Sequence, residues 1–133
     1  MGIIETSPST SCLAMHDLPE EALAQVAAYF QVLSEPTRLK ILNLLREGER
    51  NVGEIAELTG YTAANISRHL TMLTKQGFVA RESRGTSAYY RIADKSVYAL
   101  CDLVCDNIAR QFERAANGRA AFARPVAKAV TQA

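Results

Sequence analysis

The sequence lacks a long hydrophobic run, and no apolar stretch approaches the roughly 20 residues that a membrane-spanning helix needs. The segment 1–16 is rich in Ser and Thr, and it also lacks the basic start and apolar stretch of a secretory signal. We therefore expect a protein without a membrane partner that is located in the cytoplasm.

Cysteine is scarce, and its number is odd. The three residues are Cys12 near the N-terminus and Cys101 and Cys105 near the C-terminus. Because the cytoplasm is reducing, three cysteines do not indicate a disulfide framework.

Patterns typical of enzymes are also missing. Cys12 and His16 are a candidate nucleophile and base, four residues apart. No glycine-rich phosphate loop or oxyanion-hole pattern accompanies them, and a flexible N-terminal arm is a poor catalytic platform. We therefore expect a protein that is not an enzyme.

Net charge is nearly absent, at +1, but the charges are unevenly distributed. Residues 1–59 hold four basic and nine acidic side chains, a balance of −5. Residues 60–92 hold five basic side chains against Glu82 alone, a balance of +4, and residues 93–133 hold six against four, a balance of +2. This pattern predicts a local positive surface that can attract a polyanion. An ordinary solvated charged surface is the alternative.

Apolar side chains recur at helical spacing in four segments before residue 77. A Pro followed by two acids favours the start of the first helix, and Gly60 is available for a left-handed cap after the third. The predicted helices cover residues 19–33, 39–47, 52–58 and 63–76, the last capped by Thr62 or the residue beside it. Two short helices separated by a tight glycine-containing turn are typical of a helix-turn-helix.

The period then changes to that of two strands, residues 78–83 and 87–92. Arg84-Gly85-Thr86 joins them as a three-residue loop with glycine placed for a positive φ. A basic hairpin directly after a helix-turn-helix is a wing. The sequence therefore predicts a mainly α winged helix-turn-helix of order α-α-α-α-β-β-α, with its DNA-reading head at residues 60–92.

A last helix is predicted from Lys95 to Ala116, ended by Asn117-Gly118. Its apolar stripe is too long to be covered by so small a head, so we expect a homodimer through the first and last helices. The predicted domains are a flexible arm at 1–18, a DNA-binding and dimerisation domain at 19–116 and a flexible tail at 117–133.

Two motifs carry a family resemblance. The segments 34–42 (SEPTRLKIL) and 65–70 (NISRHL), followed by the hairpin, resemble the ArsR/SmtB family of bacterial repressors. The resemblance covers about residues 20–112. It implies a homodimeric winged-helix protein that represses its own operon and releases operator DNA when an inducer binds.

The fourth helix and the hairpin supply the candidate DNA contacts. The N-terminal half of the helix should enter the major groove, where Arg68 can bind guanine and Asn65 can bind adenine. The hairpin arginines should reach the minor groove or the phosphates. The full set is Thr62, Ala63, Ala64, Asn65, Ser67, Arg68, Arg81, Arg84 and Arg91.

Cys101 and Cys105 lie four residues apart, hence on one face of the last helix. Their Cβ atoms should be about 5–6 Å apart, which exceeds the about 3.8 Å that suits a disulfide. A soft ion bridging two thiolates tolerates the wider spacing. As(III) or Sb(III) takes three thiolates, and Cys12 can supply the third, so the predicted inducer site is Cys12, Cys101 and Cys105.

Departures from the family patterns indicate that the inducer site of this chain has moved or been lost. Residues 95–116 contain no His, whereas zinc-binding relatives carry Asp and His on the last helix. Residues 51–54 contain no Cys, whereas other metal-sensing members have a Cys-containing segment on the third helix. Last-helix cysteine pairs resemble those of arsenic- or antimony-responsive members.

Other interpretations of these residues remain open. The cysteines can form a thiol switch for persulfide or oxidants, or Cys101 and Cys105 can be small apolar side chains of a core. The three cysteines and His16 can also form a tetrahedral site for zinc-like ions. The whole chain can also be a protein-interaction module that has lost DNA binding.

Overall fold

The structure, a computed structural model, describes residues 15–132, with the side chains of residues 15–122. After a short 3-10 helix at Met15–Asp17, five α-helices and three β-strands follow in the order α-α-β-α-α-β-β-α. They are α1 (Glu20–Leu33), α2 (Pro36–Leu45), β1 (Arg50–Asn51), α3 (Val52–Thr59), α4 (Ala63–Lys75), β2 (Val79–Arg84), β3 (Ser87–Ile92) and α5 (Ser96–Gln132). The predicted class, mainly α with a β-hairpin wing, is confirmed.

From here on, the head is the compact unit that ends at Ala93. Its core lies among α2, α3, α4 and the hairpin. Its fully buried members lie on these three helices. Because the apolar residues recur every three or four positions, each helix buries one face and leaves the other to solvent. The core side chains with essentially no exposure are Ile41, Ile55, Ile66, Leu70 and Leu73.

Side-chain caps fix where the helices of the head begin. Glu35 accepts hydrogen bonds from the first amides of α2, and Asn51 forms a capping box with Glu54 at the start of α3. The predicted left-handed cap is present at Gly60, whose φ of 79° is one that only glycine adopts readily. The Gly60 cap, whose amide donates to the carbonyl of Ala56, keeps the turn between α3 and α4 short.

The three strands form one antiparallel sheet in the order β1-β3-β2. The hairpin strands pair from Val79 with Ile92 to Arg84 with Ser87. The predicted three-residue loop is therefore wrong by one residue, because Arg84 pairs in the ladder and only Gly85 and Thr86 connect the strands. Gly85 has a φ of 62°, as a two-residue hairpin loop requires.

Strand β1 was not predicted from the sequence. It contains only Arg50 and Asn51, which pair with Tyr90 and Tyr89 of β3. Two residues are too few for a period of two to be recognised, so the strand is defined by its partner rather than by its own pattern.

Helix α5 forms a unit of its own with residues 94 and 95, separate from the head at residues up to 93. The predicted end of this helix at Asn117-Gly118 is wrong, since α5 continues to Gln132. Residues 117–132, which belong to the predicted flexible tail, are helical. A glycine within a helix costs about 1 kcal/mol relative to alanine, and the alanine-rich flanks of Gly118 offset that cost.

The predicted arm at 1–18 falls mostly outside the described residues, Cys12 included. Within residues 15–132, no helix combines the length and the hydrophobicity of a membrane span.

Candidate nucleic-acid interface and thiol pair

Helix α4 has one buried and one exposed face. Ile66, Leu70 and Leu73 are buried in the head, and this leaves the opposite side of the helix to solvent. The predicted DNA-contacting residues of α4 are all exposed except Asn65, which is half-buried. The structure thus brings Thr62, Ala63, Ala64, Asn65, Ser67 and Arg68 together on the outer side of the first two turns.

Thr62 defines the start of this surface. Its hydroxyl accepts a hydrogen bond from the amide of Asn65 at 3.1 Å, as predicted for an N-cap. The hydroxyl is therefore occupied by the cap, while the short side chains of Ala63 and Ala64 leave the positive end of the helix open to an approaching anion.

A buried arginine connects α4 to the end of α1. Arg38 of α2 is 8% exposed. Its Nε donates to the carbonyl of Val32, and its Nη1 donates to Nδ1 of His69 at 3.0 Å and to the sulfur of Met72 at 3.4 Å. Three helices of the head are thus held by one guanidinium, which fixes the rotation of α4 about its axis.

His69 is neutral in this arrangement, because its Nδ1 accepts from a group that can only donate. Desolvation lowers the pKa of His69, the charge of Glu35 opposes that shift, and the charges of Arg38 and Arg68 add to it. The histidine next to the candidate base-reading Arg68 therefore faces the head interior as an acceptor rather than the DNA.

The hairpin also has two faces. Val79 of β2 and Tyr90 of β3 are buried on one face. Alternation along the paired strands places Glu82, Arg84 and Tyr89 on the other face, with Arg91. Tyr90 is the core tyrosine of the pair, while Tyr89 is half-buried and lies on the ionic face.

Arg84 occupies the hairpin tip, as predicted, but its guanidinium is engaged. It forms a two-point ion pair with Glu49, from Nη1 to Oε2 at 2.6 Å and from Nη2 to Oε1 at 2.9 Å. Nη2 also donates to Glu82 at 3.1 Å, and the group lies 4.8 Å from the ring centre of Tyr89. Hydrogen bonds to Glu49 and then to Glu82 raise the pKa of Arg84, so the side chain is always charged.

The other two hairpin arginines are less constrained. Nη1 of Arg91 lies 3.8 Å from Glu82, and Nη1 of Arg81 donates to the hydroxyl of Ser83 at 3.1 Å. Both side chains are exposed. Their positive charges are available on the two sides of the wing.

Cys101 and Cys105 both lie on α5, one helical turn apart, as predicted. Cys101 is half-buried and Cys105 is exposed. Among the side chains of residues 15–122, no cluster of three His, Cys, Asp or Glu residues is placed to hold a metal ion. The pair thus offers two sulfur donors, and the predicted third donor, Cys12, lies outside the described residues.

Two residues of this region were missed by sequence reasoning. Arg38 lies within a recognised motif, but nothing in its spacing indicated that it contacts His69. Glu49 lies outside the charge segment 60–92 and reaches the wing only through the fold. A count of charges along the chain contains no signal for either contact.

Comparisons with known proteins agree with this architecture. Residues 35–81 match the model of a family described as bacterial regulatory protein, arsR family. A probable mercury resistance operon repressor of Streptomyces lividans is 34% identical over 102 residues, which cover 73% of this chain and 81% of that protein. The HTH-type transcriptional regulator Rv0324 of Mycobacterium tuberculosis is 41% identical over 87 residues, and this match covers 63% of this chain but only 38% of that longer protein.

A solved structure extends the likeness to the fold. The homodimeric winged helix-turn-helix DNA-binding domain Mb0332 of Mycobacterium bovis, a possible ArsR-family regulator, is similar with a TM-score of 0.63 and 36% identity. The match covers 75% of this chain and 95% of that domain. The sequence motifs, the wing and these relatives lead to one conclusion: the chain belongs to the ArsR family of bacterial transcriptional regulators and is not an enzyme.

Proposed function

We propose that this regulator is a cytoplasmic repressor that binds operator DNA as a homodimer and is released when a thiophilic ion, As(III) or Sb(III), binds its cysteine thiolates. The observation that carries DNA binding is the exposed first half of α4, held in a fixed orientation by its buried face and by Arg38. This segment inserts into the major groove, where Arg68 and Asn65 read base edges.

The wing completes the contact with DNA. Arg81, Arg84 and Arg91 bind phosphates on the neighbouring backbone, and this requires Arg84 to turn from its present ion pairs toward the DNA. Each phosphate contact releases condensed counterions, so the affinity falls steeply as salt rises.

A mobility shift on the DNA upstream of its own gene tests this part of the proposal. Arg68→Ala should weaken binding by about 1–3 kcal/mol if the guanidinium reads a base. Lys75→Ala is the matched control, because it removes an exposed positive charge from the last turn of the same helix. Equal losses in the two variants, or no binding by the unmodified protein in low salt, would contradict base reading by α4.

The exposed apolar side chains of two helices support a dimer. On α5, Val104 and Ile108 are about half exposed and Phe112 is 73% exposed. On α1, Leu23 is 40% exposed and Phe30 is 45% exposed. Apolar surface of this kind is typical of a subunit interface. A second copy of the chain that packs α1 and α5 against their counterparts covers both helices and spaces the two heads for half-sites about one helical turn apart.

The inducer site uses Cys101 and Cys105, with Cys12 as the third thiolate. The helical spacing suits an ion between two sulfurs, and the exposure of Cys105 allows an ion to reach it. The similarity to a probable mercury resistance operon repressor supports a thiophilic ion, because mercury is also thiophilic. Binding shifts α5 or the arm, and the changed distance between the two heads releases the operator.

Titration of the protein–DNA complex with arsenite or antimonyl ion, with thiols counted in parallel, tests the inducer. We expect release of the DNA with loss of three reactive thiols per chain. Cys101→Ser or Cys105→Ser should abolish release and keep DNA binding, while Ala99→Ser on the same helix should behave as the unmodified protein. Normal induction in the double cysteine variant would refute the proposal.

The thiol pair also favours a second candidate function, a switch for persulfides. A polysulfide bridge spans two helical cysteines four residues apart more readily than a plain disulfide does. Mass spectrometry after polysulfide treatment separates the two functions, because a sulfur bridge and a coordinated metalloid change the mass differently. Release of DNA by polysulfide but not by arsenite would favour the switch.

A further inference from the structure

We propose that Glu49 competes with DNA for Arg84 and so limits the contribution of the wing to binding. In the free protein the guanidinium of Arg84 is bound to the carboxylate of Glu49. When the protein binds DNA, a phosphate must take the place of that carboxylate. The inference rests on the DNA binding proposed above and adds a residue that limits affinity.

The geometry of the pair carries the argument. Both Nη atoms of Arg84 contact Glu49, at 2.6 and 2.9 Å, in the two-point arrangement that a guanidinium also uses for a phosphate. Nη2 is shared with Glu82 at 3.1 Å. The edge of the guanidinium that would bind a phosphate is thus already filled by carboxylates.

The position of the pair allows an exchange. The side chain of Arg84 is 44% exposed and that of Glu49 is 36% exposed, so solvent and a DNA backbone can reach both. The half-buried ring of Tyr89 lies 4.8 Å from the guanidinium carbon and keeps it at the hairpin tip whichever anion it binds. Rotation of the end of one side chain is enough to exchange the partner.

Glu49 also changes the charge of the wing. By sequence, residues 60–92 have a balance of +4, but the fold adds the carboxylate of Glu49 and lowers the local balance to +3. When the pair opens on DNA, this carboxylate is left near the phosphates and repels them. Both effects make Glu49 reduce the affinity for DNA.

The test is the affinity of Glu49→Gln for a fluorescein-labelled duplex of the DNA upstream of its own gene, measured by anisotropy at low salt. An exposed ion pair is worth about 0.2–1 kcal/mol, so the affinity should rise about 1.4- to five-fold, and less as salt increases. Glu47→Gln is the matched control. Glu47 lies two residues before Glu49 and carries the same charge, but its carboxylate pairs with Arg50 and not with Arg84.

A double-mutant cycle shows whether Glu49 acts through Arg84. In an Arg84→Gln background only the repulsion by the Glu49 carboxylate remains, so the gain from Glu49→Gln should be smaller than it is with Arg84 present. An equal gain with and without Arg84 would mean general repulsion and would overturn the inference. An unchanged or lower affinity of Glu49→Gln would overturn it too, the latter by showing that Glu49 positions the wing for DNA.

The unmodified protein separates the two levels of the proposal. If it fails to bind the duplex at low salt, the proposed function fails and the inference with it. If it binds and Glu49→Gln matches Glu47→Gln, only the inference fails.

Discussion

The head and α5 differ in how many of their apolar side chains are buried within the single chain. In the head, the inner residues of α2, α3, α4 and the hairpin are buried against one another. In α5, Val97 is the only buried residue among the described side chains, and the following apolar residues are half or fully exposed. The head therefore completes its core within one chain, whereas α5 leaves most of its apolar side chains exposed.

This difference separates two tasks in the proposed mechanism. A base-reading surface must keep a fixed geometry, and the head provides one with its own core, its caps and Arg38. A switch must have two arrangements of similar free energy. A helix that leaves most of its apolar side chains exposed in the single chain, and that carries Cys101 and Cys105, suits that task.

The largest expected effect comes from truncating the core of the head. Leu70→Ala removes a side chain with no exposure and should lower the free energy of unfolding by about 2–5 kcal/mol. The loss should occur at every protein concentration, because the cavity forms within one chain. Urea unfolding followed by circular dichroism measures it.

Phe112→Ser on α5 is the contrasting variant, since this side chain is 73% exposed in the single chain. If α5 packs against a second copy, the unmodified protein has a melting temperature that rises with concentration. The serine variant should lose this dependence and elute as a monomer. A melting temperature independent of concentration in the unmodified protein would remove the distinction between the two regions.

The elements of the head could be predicted because their signals are local. The inner stripe of α4, the cap at Thr62 and the left-handed Gly60 each depend on residues within one or two turns. The hairpin was predicted for the same reason, with an error of one residue in its loop. The last helix was predicted too short, because Asn117-Gly118 is a typical helix end, whereas the alanines around Gly118 favour a helix that continues.

The contacts made through space could not be predicted in this way. Arg38 with His69 joins residues 31 positions apart, and Arg84 with Glu49 joins residues 35 apart. Neither pair has a periodic or local pattern, so only the packed head brings them together. The same limit applies to the proposed third thiolate, because the sequence spacing does not place Cys12.

A medium effect should follow from removing Arg38. Arg38→Met keeps a long side chain but leaves the Val32 carbonyl and the His69 nitrogen without their donor. Each unsatisfied group costs about 1–3 kcal/mol, so the head should be destabilised and α4 should gain mobility, measured as faster amide exchange. Lys40→Met on the same helix should change stability by less than about 1 kcal/mol, because its cation–π contact with Tyr61 is exposed. Equal losses in both variants would show that Arg38 does not anchor the head.

The smallest effect should appear in the pH dependence of the head. Desolvation lowers the pKa of His69 below its ordinary value of about 6.5, so between the lowered and the ordinary value the unfolded chain binds more protons than the folded one. Stability is therefore full above about pH 6.5 and falls as the pH drops toward the folded-state value. His69→Gln should flatten this part of the profile of unfolding free energy against pH, because it removes the titrating ring.

His16→Gln is the control for that measurement, because the chain has only two histidines and His16 is an exposed residue beside Asp17. This variant should keep the acid-side fall of the unmodified protein. A profile that is flattened equally by both substitutions would mean that the Arg38–His69 contact does not govern the stability of the head. If only His69→Gln removes the fall in unfolding free energy at low pH, the orientation of α4 depends on the neutral imidazole of His69. That contact lies inside the head and does not involve α5.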